Sequence, residues 1–112
     1  MLSTPVRQQQ GTGRCARAAF ACEAYALTFQ GLTHSLGTHR AASPRLALRW
    51  VHARTEDIAD QLEPPTGWQA RAWMRDEAER ERALAGLANG RPYTVELVED
   101  GTRYVLTARP TL

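Results

Sequence analysis

The chain has 112 residues, a formal net charge of +2 and an apolar fraction of 43%. This length favours one domain over two, because single domains usually have about 50–200 residues. The small net charge argues against a wholly disordered chain, and no apolar run approaches the roughly 20 residues that cross a bilayer, so we expect no membrane partner. The two cysteines are too few for a disulfide framework, so we expect a reduced, cytoplasmic chain.

The apolar residues are mostly small. Eighteen of them are alanines, while leucine, isoleucine, valine and phenylalanine together number twenty. A core built from such residues is thin, and self-association is one way to complete a thin core. We therefore include among the hypotheses a homodimer that shares sheet or helix surface.

Charge is distributed unevenly along the chain. All fourteen basic residues are arginines; residues 1–55 contain seven of them and one acid, whereas residues 56–112 contain seven arginines and eleven acids. The planar guanidinium pairs bidentately with carboxylates and phosphates. This asymmetry predicts a basic surface that meets an anionic partner, with GC-rich coding and simple solvation as the alternative explanations.

The N-terminus is predicted to be a tail. Residues 1–13 offer almost no side chain to a core and are expected to be disordered, and residues 14–112 are expected to form a single α+β domain. The acid-free first 22 residues also have the composition of an organellar transit peptide, an alternative that we rank below a flexible tail. Alanine-rich residues 14–23 predict a short helix with Cys15 and Cys22 on one face.

Three strands are predicted next. From Tyr25 the chain alternates with a period of two, which places Tyr25, Leu27 and Phe29 on one face. Residues 32–39 predict a weak second strand. Arg45 to Arg54 predict a third, with alternate apolar residues directed inward.

Helices are predicted in the central part of the chain. Thr55 is expected to cap a short helix over Glu56 to Leu62. Thr66 and Gln69 have the spacing of a capping box, which predicts a helix of about 22 residues that begins there and ends at Asn89-Gly90.

The C-terminal segment predicts a β-hairpin. Asp100-Gly101 suits a type I′ turn, in which both central residues have positive φ. If Glu99 faces Thr102, the register places the apolar residues of both strands on one face. The expected fold is therefore α+β, with a small antiparallel sheet of about four strands and one long helix packed across one face.

No catalytic or cofactor motif is visible in the sequence. His34, His39 and His52 are the general-base candidates, and none has a nucleophile and an acidic orienting group in a recognisable motif. Cys15 and Cys22 precede His34 and His39 with C-x6-C and H-x4-H spacing, which lacks the short CxxC clamp of strong zinc signals. We expect no enzyme, no metal and no cofactor.

The predicted binding surface consists of arginines that strand alternation or turn position directs away from the core, on the third predicted strand and in the loop before it. They are Arg40, Arg45, Arg49 and Arg54, with Arg75 and Arg82 as secondary contact candidates. They predict a small binding or inhibitory module, of a kind that phages and other mobile elements encode, which docks on a protein or nucleoprotein complex. The alternative is direct binding of nucleic acid, which the eleven acids of the second half oppose.

Overall fold

A four-stranded antiparallel sheet with three helices forms the described part of the chain, residues 19–111 of a computed structural model. The elements, in chain order, are β1 (Phe20–Leu27), β2 (Thr33–Ala41), α1 (Pro44–Ala59), α2 (Pro64–Met74), α3 (Glu77–Ala88), β3 (Tyr93–Glu99) and β4 (Thr102–Pro110). The strand order is β2-β1-β4-β3, so the two hairpins join through the central β1–β4 pair. The prediction of an α+β fold with a four-stranded antiparallel sheet is confirmed. The predicted disordered tail, residues 1–13, lies outside the described residues.

The helices cover one face of the sheet, and the core lies between them and the strands. Its buried residues come from the sheet and from α1 and α3, and several of them are alanines, as the composition indicates. They are Phe20, Cys22, Ala24, Ala41, Ala47, Val51, Leu87, Val95, Leu106 and Ala108. Because alternate strand residues point to opposite faces, Tyr25 and Leu27 lie on the uncovered face of β1.

The C-terminal hairpin has the predicted register. Glu99 pairs with Thr102 and Val95 with Leu106. Asp100 and Gly101 both have positive φ, 52° and 78°, as a type I′ turn requires. The predicted second strand is also present as β2.

The first strand begins earlier than predicted. Phe20 and Cys22 belong to β1, so the predicted helix over residues 14–23 is wrong for its described part. Phe29, expected on the strand, lies in the loop and is 78% exposed. The physical reason is pairing: both β2 and β4 form ladders along the whole of β1, which override the weak helical preference of its alanines.

The predicted strand over Arg45 to Arg54 is wrong, because these residues belong to α1. Ser43 caps this helix by accepting a hydrogen bond from the backbone N–H of Leu46 at 3.2 Å, and Pro44 fits the first helical position. Thr55 is a buried residue inside the helix rather than a cap, and its hydroxyl donates to the Val51 carbonyl at 2.7 Å.

The single long helix is also wrong, because α2 and α3 are separate. α2 begins at Pro64, two residues before the predicted cap, and ends where Arg75 caps its C-terminus. Asp76 then starts α3, since its carboxylate accepts from the backbone N–H of Glu79 at 3.2 Å. The predicted end at Asn89-Gly90 is confirmed for α3, with Gly90 at a φ of +83°.

Candidate binding site

Helix α1 carries its charges in the order opposite to the one that stabilises a helix. Arg45 lies in the first turn and Arg49 in the second, while Glu56 and Asp57 lie in the last turn. The helix macrodipole is positive at the N-terminus, so each such charge costs of the order of 0.3–1 kcal/mol where it is exposed. Helix stability therefore does not explain the two arginines.

This order in α1 matches a difference in charge between the two ends of the fold formed by residues 19–111. The register aligns Phe20 with Ala41 and Pro110, and α1 begins three residues after Ala41. The arginines that belong to this end, which we call the basic end, are Arg40, Arg45, Arg49, Arg91 and Arg109.

At the opposite end, the backbone N–H of Glu63 donates to the carboxylate of Glu99, at 3.1 Å from one oxygen and 3.2 Å from the other. This bond fixes the α1–α2 connection beside the β3–β4 turn. The residues of this acidic end are Glu56, Asp57, Asp60, Glu63, Glu99 and Asp100.

Most ion pairs between arginine and acidic side chains lie away from the basic end. Arg71 of α2 bonds Glu56 at 3.0 Å and also Asp60, which ties α2 to α1. The pKa of Arg71 is raised, first by its hydrogen bond to Glu56. The other ion pairs are Arg54–Asp57 at 2.9 Å, Arg82–Glu79, and Arg103–Glu96 at 3.8 Å.

Arg45, Arg49 and Arg80 form no ion pair with any residue between 19 and 111. All three side chains line one groove between α1 and α3, of about 340 Å³, which we call the arginine groove. Its complete lining is Ser43, Arg45, Leu46, Leu48, Arg49, His52, Arg80 and Leu84. The groove therefore combines three guanidinium groups with leucine side chains and contains no carboxylate.

His52 is the titratable histidine of the arginine groove. It is partly buried, and its ring meets the Trp73 ring edge-on, with 5.2 Å between centroids. Burial lowers the pKa of His52, and the nearby Arg80 lowers it further. Both effects favour the neutral imidazole.

A polar contact between α3 and β3 holds the Arg80 wall of the groove. The hydroxyl of Tyr93 donates to Glu79 at 2.7 Å, and the Tyr93 and Trp73 rings stack at 6.1 Å. This hydrogen bond is the main reason that the pKa of Glu79 is lowered, and burial together with the bond raises the pKa of Tyr93. This contact joins α3 to β3 one residue before Arg80.

The predicted arginines do not all come together. Arg45 and Arg49 share the arginine groove, although on a helix and not on a strand. Arg54 lies further along α1, pairs with Asp57, and packs over the Trp50 ring at 5.9 Å. Arg40 is on β2, where it donates to the Thr111 hydroxyl at 3.4 Å.

The secondary candidates lie outside the arginine groove. Arg75 is the exposed C-cap of α2, and Arg82 pairs with Glu79. Arg80 and His52 complete the groove but were absent from the predicted surface. Arg80 lies among acidic residues of α3, so no sequence signal singled it out.

The residues considered for zinc are dispersed. Cys22 is buried in the core, where burial raises the pKa of its thiol, while His34 and His39 lie on β2. His39 stacks on Trp50 with the ring planes 4° apart. Cys15 lies outside the described residues, and between residues 19 and 111 no group of three or more histidine, cysteine or acidic side chains is arranged to hold a metal ion.

Comparison with other proteins gives no further indication of the site. A scan against protein-family models finds no match, and searches of curated proteins and of solved structures find no similar chain. Among the described helices, none is long and apolar enough to span a membrane. The function is therefore argued from the arginine groove itself.

Proposed function

We propose that this protein is a small non-enzymatic binding module that docks on an acidic surface of a protein or nucleoprotein complex through the arginine groove. The observation that carries the proposal is that Arg45, Arg49 and Arg80 line one groove and that none of them has an ion-pair partner within residues 19–111. Guanidinium groups held together without counter-charges favour a ligand that supplies them.

The proposal is supported by the energetics of α1. Arg45 and Arg49 lie near the positive end of the helix dipole, where arginine is unfavourable for folding. An anionic ligand at the same place interacts favourably with the guanidiniums and with the dipole. Binding thus explains a charge arrangement that folding disfavours.

A binding role fits the groove better than catalysis does. His52 is its one side chain that titrates near neutral pH, and Ser43 is engaged as the α1 cap. Acyl or phosphoryl transfer requires a nucleophile or a positioned base beside a site for the reacting atom. The leucines and guanidiniums that make up the rest of the lining instead resemble the mixed apolar and arginine composition of interface centres.

Direct nucleic-acid binding is the second candidate, and the basic end favours it. Arg40 and Arg109 flank Ala21 across the sheet, which extends positive charge beyond the groove. Against it, Glu77 and Glu81 are exposed on α3 on either side of Arg80. A continuous run of phosphates would be repelled by these carboxylates.

Affinity capture of a partner tests the proposal. The full chain is immobilised, incubated with lysate, and washed with and without nuclease. Arg45→Ser combined with Arg49→Ser should abolish capture and leave the fold intact, while wild-type capture should survive nuclease treatment. The matched control is Arg75→Ser with Arg103→Ser, which removes the same charge at exposed positions outside the groove lining.

Three outcomes would contradict the proposal in different ways. Undiminished capture by the groove variant would show that the groove is not the contact surface. Equal loss in the control pair would show that net charge governs capture. Complete release by nuclease would replace protein docking with the nucleic-acid candidate.

A further inference from the structure

We infer that the arginine groove recognises an acidic amphipathic helix of a protein partner, with carboxylates one helical turn apart and leucine-like side chains beside them. This inference rests on the proposed docking function and names the chemistry of the docked segment. Three features support it: the spacing of the guanidiniums, the apolar part of the lining and the charges around the groove.

The two arginines of α1 that line the groove are spaced to match a partner helix. Arg45 and Arg49 are four residues apart on α1, which separates them by about 6 Å along the helix axis. Carboxylates at positions i and i+4 of a partner helix have the same separation. Arg80, on the α3 side of the groove, is available to one of these carboxylates from the opposite direction.

The groove also has an apolar part. Leu46 is 43% exposed, although it is a large apolar residue, and Leu84 lines the groove with it. Leu48 is buried beneath them. Apolar side chains on the docked segment would cover Leu46 and Leu84 while its carboxylates meet the arginines, which is the pattern of a helix held in a groove.

The composition of the lining favours a protein segment over a single-stranded nucleic acid. Single-stranded nucleic acids bind through aromatic side chains on which their bases stack. The arginine groove contains no Phe, Tyr or Trp in its lining, and its only ring is the His52 imidazole. The exposed Glu77 and Glu81 beside Arg80 further favour isolated carboxylates over a charged backbone that continues past the groove.

His52 gives the complex a pH dependence. The groups that face it are Arg80 from α3 and the Trp73 ring from α2, with Arg49 one turn earlier on its own helix. A bound carboxylate opposes the effect of Arg80 and favours imidazolium, so binding takes up a proton. Affinity should therefore increase as the pH falls from 8 towards 6, above the range in which the peptide carboxylates themselves protonate.

The test uses the full chain and a labelled helical peptide of about 18 residues, with four glutamates arranged as i, i+4 pairs and leucines on the adjoining face. One control peptide has glutamine for each glutamate, and a second has the same composition with the glutamates at i, i+2. Fluorescence polarisation gives the dissociation constant. We expect the paired-glutamate peptide to bind at least about tenfold more tightly than both controls, since one charge-assisted hydrogen bond is worth that much.

Variants of the protein make the result specific. Arg45→Ser with Arg49→Ser should remove the preference, and His52→Gln should flatten the pH dependence while retaining the preference for paired glutamates. Arg75→Ser with Arg103→Ser should bind as the wild type does. A single-stranded oligonucleotide of equal charge, used as competitor, should not displace the peptide.

Equal affinity for the glutamine peptide, or displacement by the oligonucleotide, would overturn the inference. Equal affinity for the i, i+2 peptide would overturn the helical spacing on which it depends. If none of the peptides binds while cellular capture still depends on Arg45 and Arg49, the acidic helix is wrong and the docking function stands. If capture is also independent of these arginines, both are wrong.

Discussion

The two ends of the molecule use charge differently. At the acidic end, Arg71 joins Glu56 and Asp60 across α1 and α2, and Glu99 accepts the backbone N–H of Glu63. At the basic end, Arg45 and Arg49 have no such partners among residues 19–111. Charged side chains at the acidic end connect elements of the fold, whereas the arginines of the groove remain available to a partner.

The largest effect on stability is expected in the core, on which both ends depend. Leu106 is fully buried on the central strand β4, so Leu106→Ala should lower the free energy of unfolding by about 2–5 kcal/mol. Chemical denaturation followed by tryptophan fluorescence measures the change. The control is Val98→Ala in the same hairpin. The Val98 side chain is 56% exposed, so this substitution should lower the free energy of unfolding by less than about 0.5 kcal/mol. If both variants lower the free energy of unfolding by similar amounts, Leu106 is not part of the core.

A smaller effect is expected from the contact that holds the Arg80 wall. Tyr93→Phe removes the hydroxyl that donates to Glu79 and should cost about 0.5–1.5 kcal/mol. Because this bond lowers the pKa of Glu79, its stabilisation is present above the unfolded pKa of about 4.5 and is lost as the pH falls through the lower folded value.

The pH dependence of Tyr93→Phe therefore checks its mechanism. The difference in unfolding free energy between wild type and variant should be constant near neutral pH and should shrink below about pH 4.5. A difference that persists unchanged at pH 2 would mean that Tyr93 stabilises the protein through packing and not through Glu79.

His52 gives the smallest expected effect on stability. Since its folded pKa is lowered, the unfolded chain takes up the proton more readily, and stability should fall as the pH drops through the unfolded pKa of about 6.5 towards the folded value. His52→Gln should remove this component in denaturation curves recorded between pH 8 and 5. His34→Gln, at an exposed position on β2, should leave it in place. Loss of the component in the His34 variant instead would locate the titrating group away from the groove.

The parts of the fold that were predictable depend on local signals. Asp100-Gly101 specifies a turn through backbone conformation, so the register of Glu99 with Thr102 follows directly. In Arg45 to Arg54 the leucines at 46 and 48 match a strand, while Ala47 and Val51, together with Thr55 directly after this segment, match a helix. The deciding signal was the Ser43-Pro44 cap at the start of α1.

The arginine groove was only partly predictable. Arg45 and Arg49 could be predicted because they lie in an arginine-rich segment without acids. They were expected to be exposed although the segment was assigned to a strand, and they are exposed on the helix as well. Arg80 lies in a run of eight residues of which seven are charged, and its role depends on the break at Asp76, which lets α3 begin separately and pack on α1. Sequence alone gives neither that packing nor the choice of which arginine remains unpaired.

Charge reversal at single positions tests the central claim most directly. Arg45→Glu places a carboxylate in the first turn of α1, so it should raise the free energy of unfolding by about 0.3–1 kcal/mol while weakening partner capture. Arg71→Glu should lower stability, because it sets a third carboxylate beside Glu56 and Asp60. The decisive measurement is the midpoint of thermal unfolding of the two variants and of the wild type. We predict a higher midpoint for Arg45→Glu and a lower midpoint for Arg71→Glu. A lower midpoint for both variants would contradict the claim that the groove arginines do not stabilise the fold.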